Sequence, residues 1–174
     1  LGLIKPGEFR FLWVTDFPLF AWSEDEKRWV SEHHPFTAPY WEDLELLEKD
    51  PGKVRSQSYD LVLNGEELAS GSVRIHDPRV QKRIFDVLQL GEEQIEQRFG
   101  FFTEALSYGT PPHAGIAPGF DRTVAVMLGQ EGIRDVIAFP KTQRAIDPMT
   151  GAPGTVSERQ LEELGLTVET EEED

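Results

Sequence analysis

Cysteine is absent from this chain of 174 residues, which excludes disulfides, thiolate metal sites and a cysteine nucleophile. Long apolar runs are absent too. Nothing approaches the roughly 20 residues that a membrane-spanning helix needs, and no signal-peptide pattern opens the chain. The phosphate-loop pattern GxxxxGKS/T, the dinucleotide pattern GxGxxG and the zinc pattern HExxH do not occur. Basic residues are scarce, with 17 Lys and Arg against 32 Asp and Glu, a net charge of −15. A nucleic-acid binder that works unaided needs a basic face to neutralise phosphates, so this balance argues against one. The charge is uneven: residues 161–174 hold seven acids and no base, and residues 41–50 hold five acids and one Lys. The closing Glu-Thr-Glu-Glu-Glu-Asp at 169–174 reads as a solvated acidic tail.

What is present suits a folded domain. Apolar residues make up 39% of the chain and glycine adds 15 positions, close to the globular average. A chain of this length can bury roughly 70% of its unfolded surface. The expectation is a soluble, cytoplasmic protein. The first residue is Leu1 rather than Met, which reads as a fragment or a processed chain.

Punctuation along the chain predicts the elements. Phe9–Val14 is rich in aromatic and β-branched residues and reads as a strand. Glu24–Arg28 is a polar turn, and Trp41–Lys49 reads as a short helix stopped by Asp50-Pro51. Gln57–Leu63 and Glu67–His76 are strand-like and flank Asn64-Gly65, the strongest short hairpin signal. Asp77-Pro78 supplies an N-cap and a first-turn proline for a helix that Gly91 is expected to close. A second helical stripe runs from Glu92 to Tyr108. Gly115–Ala117 reads as a strand, Phe120–Leu128 as a helix ended by Gly129, and Val136–Phe139 as a short buried strand. Strands meet through hairpins with helices inserted between them. That pattern predicts an α+β fold with an antiparallel sheet flanked by helices.

Four groups of residues can carry chemistry. A two-residue turn at Asn64-Gly65 pairs Val62 with Glu67 and Asp60 with Ala69, which leaves Asp60 and Glu67 diagonal on one face. Two such carboxylates could hold Mg²⁺, though on geometry alone two solvated acids on an exposed face is the simpler reading. The small residues Ala69-Ser70-Gly71 mark a bulge or a place where a ligand lies against the backbone. Glu67 and Arg74 are seven apart, so one bulge near Ala69–Gly71 would bring them to one face. Arg74 could then grip a carboxylate, or be an ordinary surface arginine. In Gly115–Arg122 a strand ends, Gly119 turns the chain, and a helix begins with Arg122 in its first turn. A cation is unfavourable at the positive end of a helix but useful beside a phosphate. The bland alternative pairs Arg122 with a neighbouring acid. His33 and His34 are adjacent and point apart, so they make a poor metal site. One can contact a ligand while its neighbour packs.

These segments together resemble aspartyl-tRNA synthetase of the bacterial type, a class II aminoacyl-tRNA synthetase. The matching stretches are Trp13–Phe20, His33–Pro39, Tyr59–Gly65, Gly71–His76, Phe99–Phe102, Tyr108–Gly115 and Arg134–Lys141, with Gly119-Phe-Asp-Arg122 similar to class II motif 3. The resemblance implies that His33 and Arg74 contact L-aspartate, with Arg74 on the side-chain carboxylate. It implies that Glu67 and Asp60 hold Mg²⁺, that Glu67 also serves ATP, and that Gly119, Phe120, Asp121 and Arg122 bind ATP. Arg74 and Arg122 would be the catalytic pair. The implied reaction activates aspartate with ATP and transfers it to tRNA(Asp), in a full-length enzyme expected to be a homodimer with no membrane association.

Two departures stand out. The family usually has three glycines where this chain has Ala69-Ser70-Gly71, and Pro118 replaces a larger apolar residue. Motifs 1 and 2 and the anticodon-binding domain are missing. Residues 1–10 therefore read as the exit from a preceding inserted domain and residues 11–168 as the C-terminal half of the catalytic domain, with motif 3 at 115–128. Such a piece is expected to be inactive alone. The alternatives are a non-catalytic paralogue, an amino-acid- or partner-binding module, and a related class II ligase such as an asparaginyl enzyme.

Overall fold

The computed structural model describes residue 5 and residues 7–168. The expected acidic tail at 169–174, and residues 1–4 and 6 of the expected inserted-domain exit, lie outside the described residues. Contacts divide the chain into two units, Leu1–Thr123 and Val124–Asp174. Every candidate site residue belongs to the first.

The first unit is built on a four-stranded antiparallel sheet. Its strands are β1 (Phe11–Thr15), β4 (Ser58–Leu63), β5 (Glu66–Val73) and β6 (Ala114–Pro118), in the order β1-β4-β5-β6. A separate hairpin joins β2 (Phe20–Ser23) to β3 (Arg28–Ser31) through the expected polar turn. The Asn64-Gly65 turn takes positive φ at both positions, 52° and 95°. That double left-handed pair is what a two-residue hairpin requires, and Asn and Gly are the residues that tolerate it.

Register differs from expectation at one point. Leu63 faces Glu66 and Val62 faces Glu67, but Asp60 then faces Ser70, not Ala69. Leu68 is the extra residue of a bulge, and both Leu68 and Ala69 are buried, at 7% and 4% exposure. Two adjacent apolar side chains on one side of a strand are possible only where the alternation is broken, so their burial drives the bulge.

Helix α1 (Pro78–Val87) begins as predicted. Asp77 Oδ1 accepts from the Arg79 amide at 2.8 Å and Pro78 fills the first turn. It ends earlier than expected: Gln89 takes the left-handed position at φ 57°, and Gly91 becomes the N-cap of α2 (Glu92–Ser107) instead of closing α1. The predicted helix at Trp41–Lys49 is a 3-10 helix over Trp41–Leu46. Asp43 ties it down by accepting from Arg55 Nε at 2.9 Å and Nη2 at 3.1 Å.

The core of this unit lies away from the outer strands. Leu19, Phe20, Ala38, Leu47, Val54, Ile75, Val80, Ile84 and Leu88 pack together between the β2–β3 hairpin, the 3-10 segment and α1. By contrast every residue of β1 and of β6 is exposed. Phe11 and Trp13, at 60% and 57%, are the bulkiest of them.

Helix α3 (Phe120–Met127) follows β6 and crosses the division between the units. In the second unit, α4 (Glu158–Leu164) is a short helix that the sequence reading missed. Its signals are a Ser157/Gln160 capping box and Gly165 at φ 64°, both standard helix boundaries. The predicted strand at Val136–Phe139 does not form: a 3-10 turn over Ile133–Asp135 runs into it, Phe139 has φ 60° and is 56% exposed. A strand needs a ladder partner, and among the described residues none pairs with this segment.

Candidate active site

The bulge organises the site. By register, Asp60, Val62, Glu67 and Ser70 share one face of the sheet, and the two-residue period carries that face on to Arg74. The bulge thus does what the spacing of Glu67 and Arg74 demanded, but one residue earlier than the Ala69–Gly71 stretch expected to hold it.

The same irregularity receives the motif 3 segment. The Gly119 amide donates to the Leu68 carbonyl at 2.7 Å, and Arg122 Nη1 donates to the Glu67 carbonyl. Arg122 also stands 3.9 Å from the Glu67 carboxylate, with both side chains about half exposed. A pair this open contributes little to stability. It holds Arg122 over Glu67, so the pairing with an acid that offered the bland alternative is observed. Phe120 is 78% exposed and Asp121 is exposed beside it.

Asp60 and Glu67 offer oxygen donors on one face, which suits a hard cation. Among the described residues no group of three or more His, Asp and Glu converges. The pair would therefore supply only part of a Mg²⁺ shell, leaving the rest to phosphate and water.

Arg74 sits apart from these acids. It lines a cavity of about 310 Å³ with His34, Phe36, Phe102 and His113. The Phe36 and Phe102 ring centroids are 4.3 Å apart, and Phe36 also meets Phe99 and Phe85 edge to face. The Arg74 amide donates to the His113 carbonyl at 2.9 Å, and a bridge joins Arg74 to Thr37. Among the described residues no carboxylate lies within ion-pair distance of the Arg74 guanidinium (compare the pairs at Arg55 and Arg122). Burial pushes its pKa down, so the charge is partly desolvated and lacks a counter-ion. A cavity holding such a cation favours an anion with two parallel oxygens.

His33 is not one of the cavity's lining residues. Its ring meets Phe17 edge to face at 5.2 Å, and the neighbouring His34 lines the cavity. The sequence shows that the two point apart, and the family resemblance implies His33 as the aspartate contact, whereas His34 is the one that lines the cavity here. The only available signal was Pro35-Phe36, which carries the loop over the aromatic cluster. His113, Phe36 and Phe102 were also missed as lining residues.

His34 has its pKa lowered to about 4 by burial, then by the neighbouring Arg74 and His33 charges. An unfolded histidine titrates near 6.5, so between these values the unfolded chain binds more protons than the folded one. Stability is then full above about pH 6.5 and falls as pH drops toward 4. The urea midpoint should fall between pH 7 and pH 4.5, and less so in His34→Gln.

Of the three positions where glycines were expected, only Gly71 has no room. A Cβ there would strike the Gly115 carbonyl oxygen and the Tyr59 ring. Ala69 packs inward opposite Pro118, and Ser70 stays exposed on the site face. Pro118 ends an edge strand, where its missing N–H costs no ladder bond.

An antiparallel sheet that carries a motif 3 arginine over a strand carboxylate is the class II synthetase architecture, and solved structures share it. The chain aligns with an aspartyl-tRNA synthetase from Entamoeba histolytica at TM-score 0.58 and 26% identity, over 79% of this chain and 24% of that one. An asparaginyl-tRNA synthetase from Pyrococcus horikoshii matches in fold at TM-score 0.57 and 21% identity, over 80% of this chain and 28% of that one. The family model described as tRNA synthetases class II (D, K and N) matches residues 3–143, and the chain belongs to that family. Curated relatives include the aspartate–tRNA ligase of Clostridium tetani, 56% identical over 97% of this chain. The aspartate–tRNA(Asp/Asn) ligase of Desulfatibacillum aliphaticivorans is 55% identical over 97%. The chain spans 28% of the length of each of these two.

Proposed function

We propose that this chain is the C-terminal part of the catalytic domain of an aspartate–tRNA ligase and that the 310 Å³ cavity is its L-aspartate site. The observation that carries this reading is Arg74, a partly desolvated guanidinium with no carboxylate partner among the described residues, in a chain where acids outnumber bases 32 to 17. Arg74 holds the aspartate side-chain carboxylate, and His33 remains a contact to the amino acid only if its loop turns. Residues 11–168 belong to the catalytic domain, 1–10 lead in from an inserted domain, and 169–174 form an acidic tail. The bare strands β1 and β6 support this reading, since both are edges that the rest of a catalytic domain can cover.

Gly119, Phe120, Asp121 and Arg122 bind ATP, with Arg122 near the adenine and the γ-phosphate and Glu67 serving the nucleotide through Mg²⁺. Mg²⁺ held by Asp60 and Glu67 would neutralise phosphate charge. The chain's own residues act by placement. Arg74 orients the amino acid and Arg122 steadies the nucleotide, so that the α-carboxylate attacks the α-phosphate in line, forming the aspartyl-adenylate as the bond to the β-phosphate breaks and pyrophosphate leaves. Such a step needs positioning and charge neutralisation more than proton transfer. The complete protein then transfers aspartate to tRNA, and the family resemblance supports a cytoplasmic homodimer. No helix among the described residues is long and apolar enough to cross a membrane.

Aspartate-dependent ATP–pyrophosphate exchange by the full-length ligase tests the proposal, and no exchange above background would sink it. Within that assay, Glu67→Gln should raise the Mg²⁺ concentration for half-maximal rate by about tenfold, in keeping with the loss of one charged ligand. An unchanged Mg²⁺ dependence would remove Glu67 from the metal site.

A further inference from the structure

We propose that His34 is a positioning residue for Arg74: its neutral ring aims the guanidinium into the cavity without neutralising it. The inference rests on reading the cavity as a carboxylate site.

The geometry settles the form of the ring. His34 Nδ1 lies 3.0 Å from Arg74 Nη1 and 3.1 Å from the Phe36 amide nitrogen. A guanidinium and a backbone N–H can only donate. Nδ1 must therefore carry the lone pair, and the proton sits on Nε2. Thr37 Oγ1, in a residue only 1% exposed, stands 3.3 Å from Nε2 and 3.5 Å from Nδ1, packed against the ring. The same loop grips the Arg74 backbone, through the bridge between Thr37 and Arg74 and the Ile75 amide donating to the Phe36 carbonyl at 2.9 Å. Residues 34–37 thus hold both the main chain and the side chain of Arg74.

A neutral acceptor is chemically apt here. Elsewhere in this chain buttressing of arginine falls to acids: Asp43 for Arg55, Glu48 for Arg83, Asp77 for Arg79. An acid at position 34 would orient Arg74 equally well, but would cancel the charge that an incoming carboxylate needs and compete for its N–H groups. A protonated histidine would instead repel the guanidinium. The titratable and charged groups facing the ring are Arg74, His33 and, across the cavity, His113. None is an acid, so nothing there favours the imidazolium.

Three variants of the full-length ligase separate orientation from charge. In aspartate-dependent exchange, His34→Ala should raise KM for aspartate about 10- to 100-fold, as expected for one hydrogen bond to a charged group. KM for ATP should stay within about twofold. His34→Asn, whose amide oxygen can take the place of Nδ1, should recover most of the loss. His34→Asp should be no better than His34→Ala. A wild-type KM in His34→Ala, a His34→Asn no better than His34→Ala, or a fully active His34→Asp would each overturn the proposal.

If the wild-type ligase shows no aspartate-dependent exchange, the functional reading fails, and the positioning contact is then judged by NMR of this chain. The ¹⁵N shifts should show the Nε2–H tautomer at pH 6, and His34→Ala should speed exchange of the Arg74 guanidinium protons. An imidazolium or Nδ1–H tautomer at pH 6, or unchanged Arg74 exchange, overturns the proposal whatever the enzyme does.

Discussion

Arg74→Ala in the full-length ligase is expected to lower kcat/KM for aspartate by about 30- to 5,000-fold. This corresponds to the roughly 2–5 kcal/mol lost when one partner of a desolvated charge pair is truncated. The loss should be large because, among the described residues, no acid pairs with Arg74 and its cavity is lined otherwise by aromatic rings and two histidines. A bound carboxylate left without the guanidinium would find no other Arg or Lys among those lining residues. Arg74→Lys should recover little, since an ammonium offers a point charge where two parallel N–H groups are needed. Exchange rates measured across aspartate concentration check both variants. Wild-type kcat/KM in Arg74→Lys would show that the fork geometry is irrelevant, and wild-type kcat/KM in Arg74→Ala would show that the carboxylate assignment is wrong.

Gly71→Ala should cost about 2–3 kcal/mol of folding stability, at the upper end for a single added methyl in a packed site. The new Cβ would meet a backbone oxygen, Gly115 O, and one edge of Tyr59. Neither can retreat cheaply. Gly115 is held in β6 opposite Ser72. Tyr59 donates its hydroxyl to that same Gly115 oxygen at 3.0 Å and meets Trp13 edge to face at 6.1 Å. A chain of this size should then lose about 5–10 °C in Tm. Ser70→Gly, at an exposed position on the same strand, should shift Tm far less. Thermal melts of this chain check the pair, and equal shifts would mean that close approach at Gly71 is not what matters.

Particular elements show what the residues announced. Asn64-Gly65 declared a hairpin because its turn needs two positive φ angles, a purely local requirement. Asp77-Pro78 declared the start of α1 for the same kind of reason. The four-residue apolar run at Val136–Phe139 failed as a strand because apolarity does not specify a partner to pair with. Gly91 failed as a helix end because Gln89 took the left-handed position two residues earlier, freeing Gly91 to cap α2.

The site divides along the same line. The residue types were legible: paired acids at Asp60 and Glu67, an arginine after a small-residue strand, and an arginine at a helix start. Their grouping was not. Placing Leu68 rather than Ala69–Gly71 as the extra residue depends on which side chains find cover, and that is settled only when the sheet meets the rest of the fold. Which histidine faces Arg74 depends in the same way on where Pro35-Phe36 meets the aromatic cluster of α1 and α2. By itself the sequence determined the hairpin turn, the start of α1, the family and the chemistry available to the site. Tertiary structure alone decided the break in register at Leu68, the inward histidine and the lack of a carboxylate beside Arg74 among the described residues, because burial and long-range hydrogen bonds act between residues that the chain order keeps apart.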